Sequence, residues 1–118
     1  ENIGDMFVTY QTYAEILMRK NQIGKAIEKL IELINKAEDK FVYKKFIIYG
    51  INIIIEYGGE TSNIYILKEM EELVYKLIKN CNSNHKEYRI ELTTSLGQIR
   101  LYTKDIKKLF PKKGGVFE

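Results

Sequence analysis

FVYKKFIIYGINIIIEYGG, residues 41–59, is the stretch on which the fold turns. Its isoleucines and aromatics favour a strand on propensity alone. Length argues the other way, because the run from Phe41 to Tyr57 carries no turn signal and exceeds an ordinary strand. The stretch is therefore read as an α-helix. Phe46, Ile47, Ile48, Tyr49, Ile51 and residues 53–55 leave it almost no polar face, and such a helix needs neighbours on both flanks. Asp39 is placed to cap its start. Gly58-Gly59 is placed to end it, since glycine takes the left-handed backbone of a helix C-cap without steric cost.

Suitable neighbours lie on both sides. From Met6 to Arg19, residues Met6, Tyr10, Tyr13, Ala14 and Leu17 recur at helical spacing, with Asp5 as the expected cap. Asn21-Gln22 reads as a tight turn. A second helix follows with Ile23, Ala26, Ile27, Leu30, Leu33, Ile34 and Ala37 on one face. Glu28, Glu32 and Lys36 lie on its other face, where Glu32 and Lys36 stand in the favourable i,i+4 order. Beyond the glycines, Thr61 or Ser62 is expected to cap a fourth helix whose stripe is Ile66, Leu67, Met70, Leu73, Val74, Leu77 and Ile78. Asn80 to Ser83 is a polar turn. Asn84 and Glu87 resemble a capping box for a fifth helix from about His85 to Thr103. Tyr88, Leu92, Leu96 and Ile99 mark its inner side. A short sixth segment, Asp105 to Phe110, stops at Pro111, the single proline.

Composition sets the class. Of the 118 residues, 45% are apolar and 30% charged, enough for a core and a solvated surface, so global disorder is excluded. The chain opens on Glu1 rather than Met, and residues are expected to precede it in the natural protein. No charged-then-apolar leader is visible, and the apolar run Phe46–Ile55 is about half a bilayer-spanning helix. A cytoplasmic protein with no membrane span is expected. Cys81 is the single cysteine, which rules out an internal disulfide and agrees with a reducing compartment. The net charge of +3 is unevenly placed: from Lys104 onward five lysines face Asp105 and Glu118, so residues 1–103 sum to zero. Only the C-terminal end is basic, which weakens any reading of the whole domain as a nucleic-acid surface.

The paired helices resemble the tetratricopeptide repeat. Tyr10 stands at the family's first aromatic position, Tyr13-Ala14 at its Leu-Gly, and Leu17 at its second aromatic, with Ile23, Ala26, Leu30 and Leu33 filling the second helix. A second unit is matched by Phe46, Tyr49-Gly50 and Ile53, then by Ile66, Met70 and Leu73 if about four residues are inserted near Gly58–Asn63. A third begins with Leu96-Gly97, followed by Lys104, Ile106 and Leu109. Thr93 and Arg100 depart from the aromatic positions there. The resemblance implies an all-α array of stacked antiparallel helix pairs, about five helices in all. A compact five-helix bundle is the alternative. It also implies a concave partner-binding face formed by Gln11, Glu15 and Arg19 of the first helix, Lys44, Ile47, Ile51 and Ile54 of the third, and Thr94, Gln98 and Leu101 of the fifth. Gln11 and Glu15 occupy positions where the family's clamp for a C-terminal carboxylate needs Lys and Asn, so that ligand is not expected. The isoleucines are otherwise read as core.

Chemistry-bearing constellations are sparse. His85 has no cysteine or acid at metal-ligand spacing and reads as a residue of a first helical turn. Cys81 lies in a polar turn without a histidine nearby in sequence. Glu69, Glu71 and Glu72 read as a solvated helix face. Gly58-Gly59 lacks the Lys-Ser/Thr of a phosphate loop. Residues 1–110 are thus expected to form one helical domain followed by a flexible basic tail, 111–118. Lys107, Lys108, Lys112 and Lys113 make up the basic end. The expected function is a non-catalytic peptide- or protein-binding scaffold, with no cofactor or metal, a protein segment as partner, and a homodimer admitted. Two other readings stay open: a sensory or oligomerisation domain of a bacterial-type transcriptional regulator, and a nucleic-acid accessory protein using the basic end, although nucleic acid is the less favoured partner.

Overall fold

A computed structural model of the chain describes residues 2–109. Five α-helices make up nearly all of them: α1 (Ile3–Arg19), α2 (Ile23–Ala37), α3 (Lys44–Glu60), α4 (Ile64–Lys79) and α5 (Lys86–Leu109). A 3₁₀ turn, Phe41–Tyr43, leads into α3, and no strand occurs among the described residues. The fold is all-α, as the length of the isoleucine-rich run required. Within the region expected as one domain, two compact units are distinguished, one up to Ile54 and one from Ile55 onward. The expected tail, 111–118, lies outside the described residues.

In the first unit α1 packs on α2. Buried Phe7, Tyr10, Ala14 and Leu17 come from α1, and Ala26, Ile27, Leu30, Leu33, Ile34 and Ala37 from α2. Ala14 and Ala26 have no exposed surface, which is how small residues let two helices approach. The Tyr10 hydroxyl donates to the Ala26 carbonyl at 2.5 Å. Burial, and then the neighbouring Tyr13, pushes the Tyr10 phenol well above its ordinary value of 10.0. Gly50 of α3 shares this core: a Cβ there would lie 2.8 Å from Leu30 Cδ1 and 3.4 Å from Tyr10 Cε2. Only a residue without a side chain fits that contact undisturbed.

In the second unit α4 packs on α5. Buried Ile66, Leu67, Met70 and Val74 come from α4, and Tyr88, Leu92, Leu96, Ile99 and Ile106 from α5. The last turn of α3 belongs here, and its glycines serve packing. A Cβ on Gly58 would meet Leu67 and Ile66 at 3.1–3.3 Å, and one on Gly59 would overlap the ring of Tyr102.

Helix ends differ from the sequence expectations at several points. Helix α1 starts earlier and is capped by Asn2, whose Oδ1 accepts from the amides of Gly4 (2.7 Å) and Asp5 (3.4 Å), so Asp5 is a first-turn acid and not the cap. Asn21 closes α1 with φ 59°; its amide donates to Met18 O, and that of Gln22 to Leu17 O, the paired bonds of a Schellman motif. Asp39 does not cap α3, because its carboxylate takes the Lys44 ammonium at 3.0 Å. Gly58-Gly59 does not end α3. The left-handed residue is Ser62 (φ 54°), with the Ser62 amide donating to Gly59 O and the Asn63 amide to Gly58 O. Neither Thr61 nor Ser62 caps α4; Asn63 does, accepting from Tyr65 N and Ile66 N at 3.2 Å each. The Thr61 hydroxyl instead donates to Tyr57 O. The expected fifth helix and sixth segment are one helix, since Ile106 continues the buried stripe across Lys104 and nothing there interrupts the backbone ladder. Asn84 is not in first position either, for α5 starts at Lys86 and the Arg89 amide bonds the His85 carbonyl.

Candidate functional site

The expected groove residues part company. Gln11, Glu15 and Arg19 are exposed on α1, and the Gln11 amide donates to Glu15 Oε1 at 3.3 Å. Ile47, Ile51 and Ile54 are 1%, 0% and 0% exposed, and Lys44 is buried beside Asp39. These four are core and offer no surface to a partner, which corrects the groove assignment for α3. Gln98 is exposed on α5, in the other unit. Lys107 and Lys108 are exposed in the last turn of α5, whereas Lys112 and Lys113 lie outside the described residues.

The physical cause is a rotation of α3 about its axis. A helix apolar on nearly every side carries no phase in its hydrophobic pattern. Gly50 carries it instead: residues 47, 50, 51 and 54 share a face, and that face holds the close contact to Leu30 and Tyr10. The positions expected to pack, Phe46 and Tyr49, are the more exposed ones, Tyr49 at 52%. Phe46 is anchored by stacking on Phe7 at 5.7 Å between ring centroids, and Phe7 stacks on Tyr43 at 5.7 Å.

The surface that sequence reasoning missed lies on α1. Val8 (65% exposed), Tyr13 (42%) and Ile16 (45%) are large apolar residues in contact with water. With Met6, Thr9, Tyr10, Thr12 and Lys29 of α2 they line an open depression of about 690 Å³. Residues 8, 12 and 16 form one i±4 ridge, residues 9 and 13 the next, and a furrow runs between them. The Thr9 hydroxyl is tied back to the carbonyls of Asp5 (3.2 Å) and Met6 (3.1 Å), so it needs no partner of its own. Val8 and Ile16, two β-branched residues eight apart on the outer side of the Tyr10–Ala14–Leu17 stripe, were the available signal.

The edge of this depression toward α2 is charged. Lys29 Nζ lies 2.9 Å from Glu32 Oε2, and Lys36 Nζ lies 3.8 Å from Glu32 Oε1. The Lys29 hydrogen bond, then the charges of Lys29 and Lys36, hold the Glu32 carboxyl below its ordinary value. In the second unit Arg100, Thr103, Lys104, Lys107 and Lys108 of α5 surround a depression of about 510 Å³ with Glu71 of α4. Arg100 Nε donates to Glu71 Oε2 at 3.3 Å. No described group of His, Cys, Asp and Glu is arranged to hold a metal ion, and no described helix is long and apolar enough to cross a membrane. No family model, curated protein or solved structure matches the chain.

Proposed function

We propose that this chain is a non-catalytic helical module that binds an amphipathic helical segment of another protein along the outer face of α1. The observation that carries the reading is the open furrow bordered by Val8, Thr12 and Ile16 on one side and Thr9 and Tyr13 on the other. Two parallel i±4 ridges are what a partner helix needs to seat a ridge of its own, and the commonest helix pairs meet this way. Tyr13 gives the furrow a rigid aromatic anchor of the kind that dominates binding energy at interfaces. Its apolar floor and charged α2 edge match the usual layout of a docking patch, with a dry centre and a polar rim.

Selection of helical peptides from a displayed library on the purified chain tests the reading without a partner in hand. Enriched peptides are expected to carry apolar residues at i, i+3/i+4 and i+7 and to shift the backbone amide resonances of residues 8–16. Ile16→Asp is expected to weaken them at least tenfold while its far-ultraviolet spectrum matches the parent. Peptides that bind Ile16→Asp and Val8→Asp as tightly as the parent, or a library that yields none, would overturn the proposal.

A further inference from the structure

Beyond that protein-binding face, we propose that the outer face of α5 is a surface for the phosphate backbone of duplex nucleic acid. It belongs to the second unit and does not depend on the α1 furrow. Lys86, Arg89, Thr93, Gly97, Arg100, Lys104 and Lys107 succeed one another at steps of three and four residues, and all seven are exposed. They make one straight line about 32 Å long at the rise of an α-helix. Five of the seven are cations. The acids of α5, Glu87, Glu91 and Asp105, fall on a different line shared with Thr94, Gln98 and Leu101. The helix therefore sorts its charges by face.

Helix electrostatics explains only part of this. Cations in a last turn offset the negative end of the helix dipole, which accounts for Lys107 and Lys108. Lys86, Arg89 and Arg100 lie outside that turn. At the C-terminal end, four cations and one carboxylate, Glu71, surround the depression, a local surplus of three positive charges.

The shape of the line selects the occupant. A stripe of that length outruns any small anion and calls for a linear polyanion. The exposed apolar residues of α5, Ile90, Leu101 and Leu109, stand eight or more residues apart and form no continuous apolar face to insert into a lipid surface. No aromatic ring stands on the line, so unpaired bases find no stacking platform. At its middle, a Cβ on Gly97 would have nothing within 4 Å, and Thr93 beside it is small. A duplex edge can approach the helix closely there while cations on either side meet its phosphates, which lie one charge to about every 1.7 Å of axis.

Fluorescence anisotropy of a labelled duplex with the full chain, over a salt series, tests the proposal. Contacts to about four phosphates give a slope of log K against log salt near −3.6, or roughly a hundredfold loss between about 50 and 200 mM. Lys104→Glu with Lys107→Glu is expected to weaken binding at least tenfold and to flatten the slope by about two. Lys25→Glu with Lys45→Glu, a pair in the other unit with the same change in net charge, is expected to bind as the parent does. Unchanged ellipticity and thermal midpoints in both pairs would show that folding is intact. The proposal is overturned by a salt slope near zero, or by equal losses in the two pairs. It is also overturned if Lys112→Gln with Lys113→Gln abolishes binding while the α5 pair does not. Binding to phosphatidylserine vesicles or polyglutamate without binding to duplex would overturn it as well.

Discussion

Replacing Ile51 by alanine probes the rotation of α3 directly, because its neighbour two positions back, Tyr49, supplies the contrast. Ile51 has no exposed surface, whereas Tyr49 is 52% exposed. Ile51→Ala removes three buried carbons, about 2.4 kcal/mol of transfer free energy at roughly 0.8 kcal/mol each. The cavity left in a closely packed site raises the cost to about 3–4 kcal/mol, and the better helix propensity of alanine returns only a few tenths. For a chain of this size that is a fall in Tm of roughly 10–20 °C. Tyr49→Ala loses a ring already half in water and is expected to cost less than about 1 kcal/mol. Urea unfolding followed by far-ultraviolet ellipticity measures both, with the midpoint carrying the difference and the slope checking that the denatured state is unchanged. If Tyr49→Ala proves the more damaging of the two, or Ile51→Ala costs under about 1 kcal/mol, then Ile47, Ile51 and Ile54 face outward and the rotation is wrong.

Two further outcomes test the interior and the caps. Tyr10→Phe loses the bond to the Ala26 carbonyl and is expected to cost about 1 kcal/mol at neutral pH. Burial raises the folded-state pKa of Tyr10, so the unfolded chain releases this proton first; the stabilisation is complete below about pH 10 and is lost as pH rises further. The parent's urea midpoint should therefore fall more steeply above that pH than the variant's, and parallel curves would contradict this. Asn63→Ala is expected to cost about 1 kcal/mol through the α4 cap, and Thr61→Ala much less; equal urea midpoints for the two would return the cap to Thr61.

The helices were legible where an apolar stripe alternates with a polar one. The α2 stripe from Ile23 to Ala37 was read with the bounds it has, and the α4 stripe marked its inner face, with Ile66, Leu67, Met70 and Val74 buried. Caps were harder, since Asp5 competes with Asn2 three residues away and Thr61 and Ser62 compete with Asn63 beside them, and the choice depends on backbone angles that neighbouring helices impose. The glycines at 58 and 59 show the same limit. As a pair they signal a stop, yet both lie inside α3, where Leu67, Ile66 and Tyr102 require the space a side chain would fill.

That limit also governs where binding surfaces were sought. The repeat resemblance placed part of the expected groove on α3, at Ile47, Ile51 and Ile54, but burial had the first claim on these residues. Once Ile47, Ile51 and Ile54 are spent in the core, a partner of the first unit must use apolar residues that folding left over. Those are fewer and chemically plainer, Val8, Tyr13 and Ile16 among them, and they stand out only after the buried face of α1 is known. Charge behaves alike. Summed along the chain, residues 1–103 cancel and direct attention to the last fifteen. Sorted around α5, Lys86, Arg89 and Arg100 join Lys104 and Lys107 on one side while Glu87, Glu91 and Asp105 take another. A partner meets a face and not a segment, so the field it encounters is set by that sorting, and a neutral sum is compatible with a strongly cationic edge.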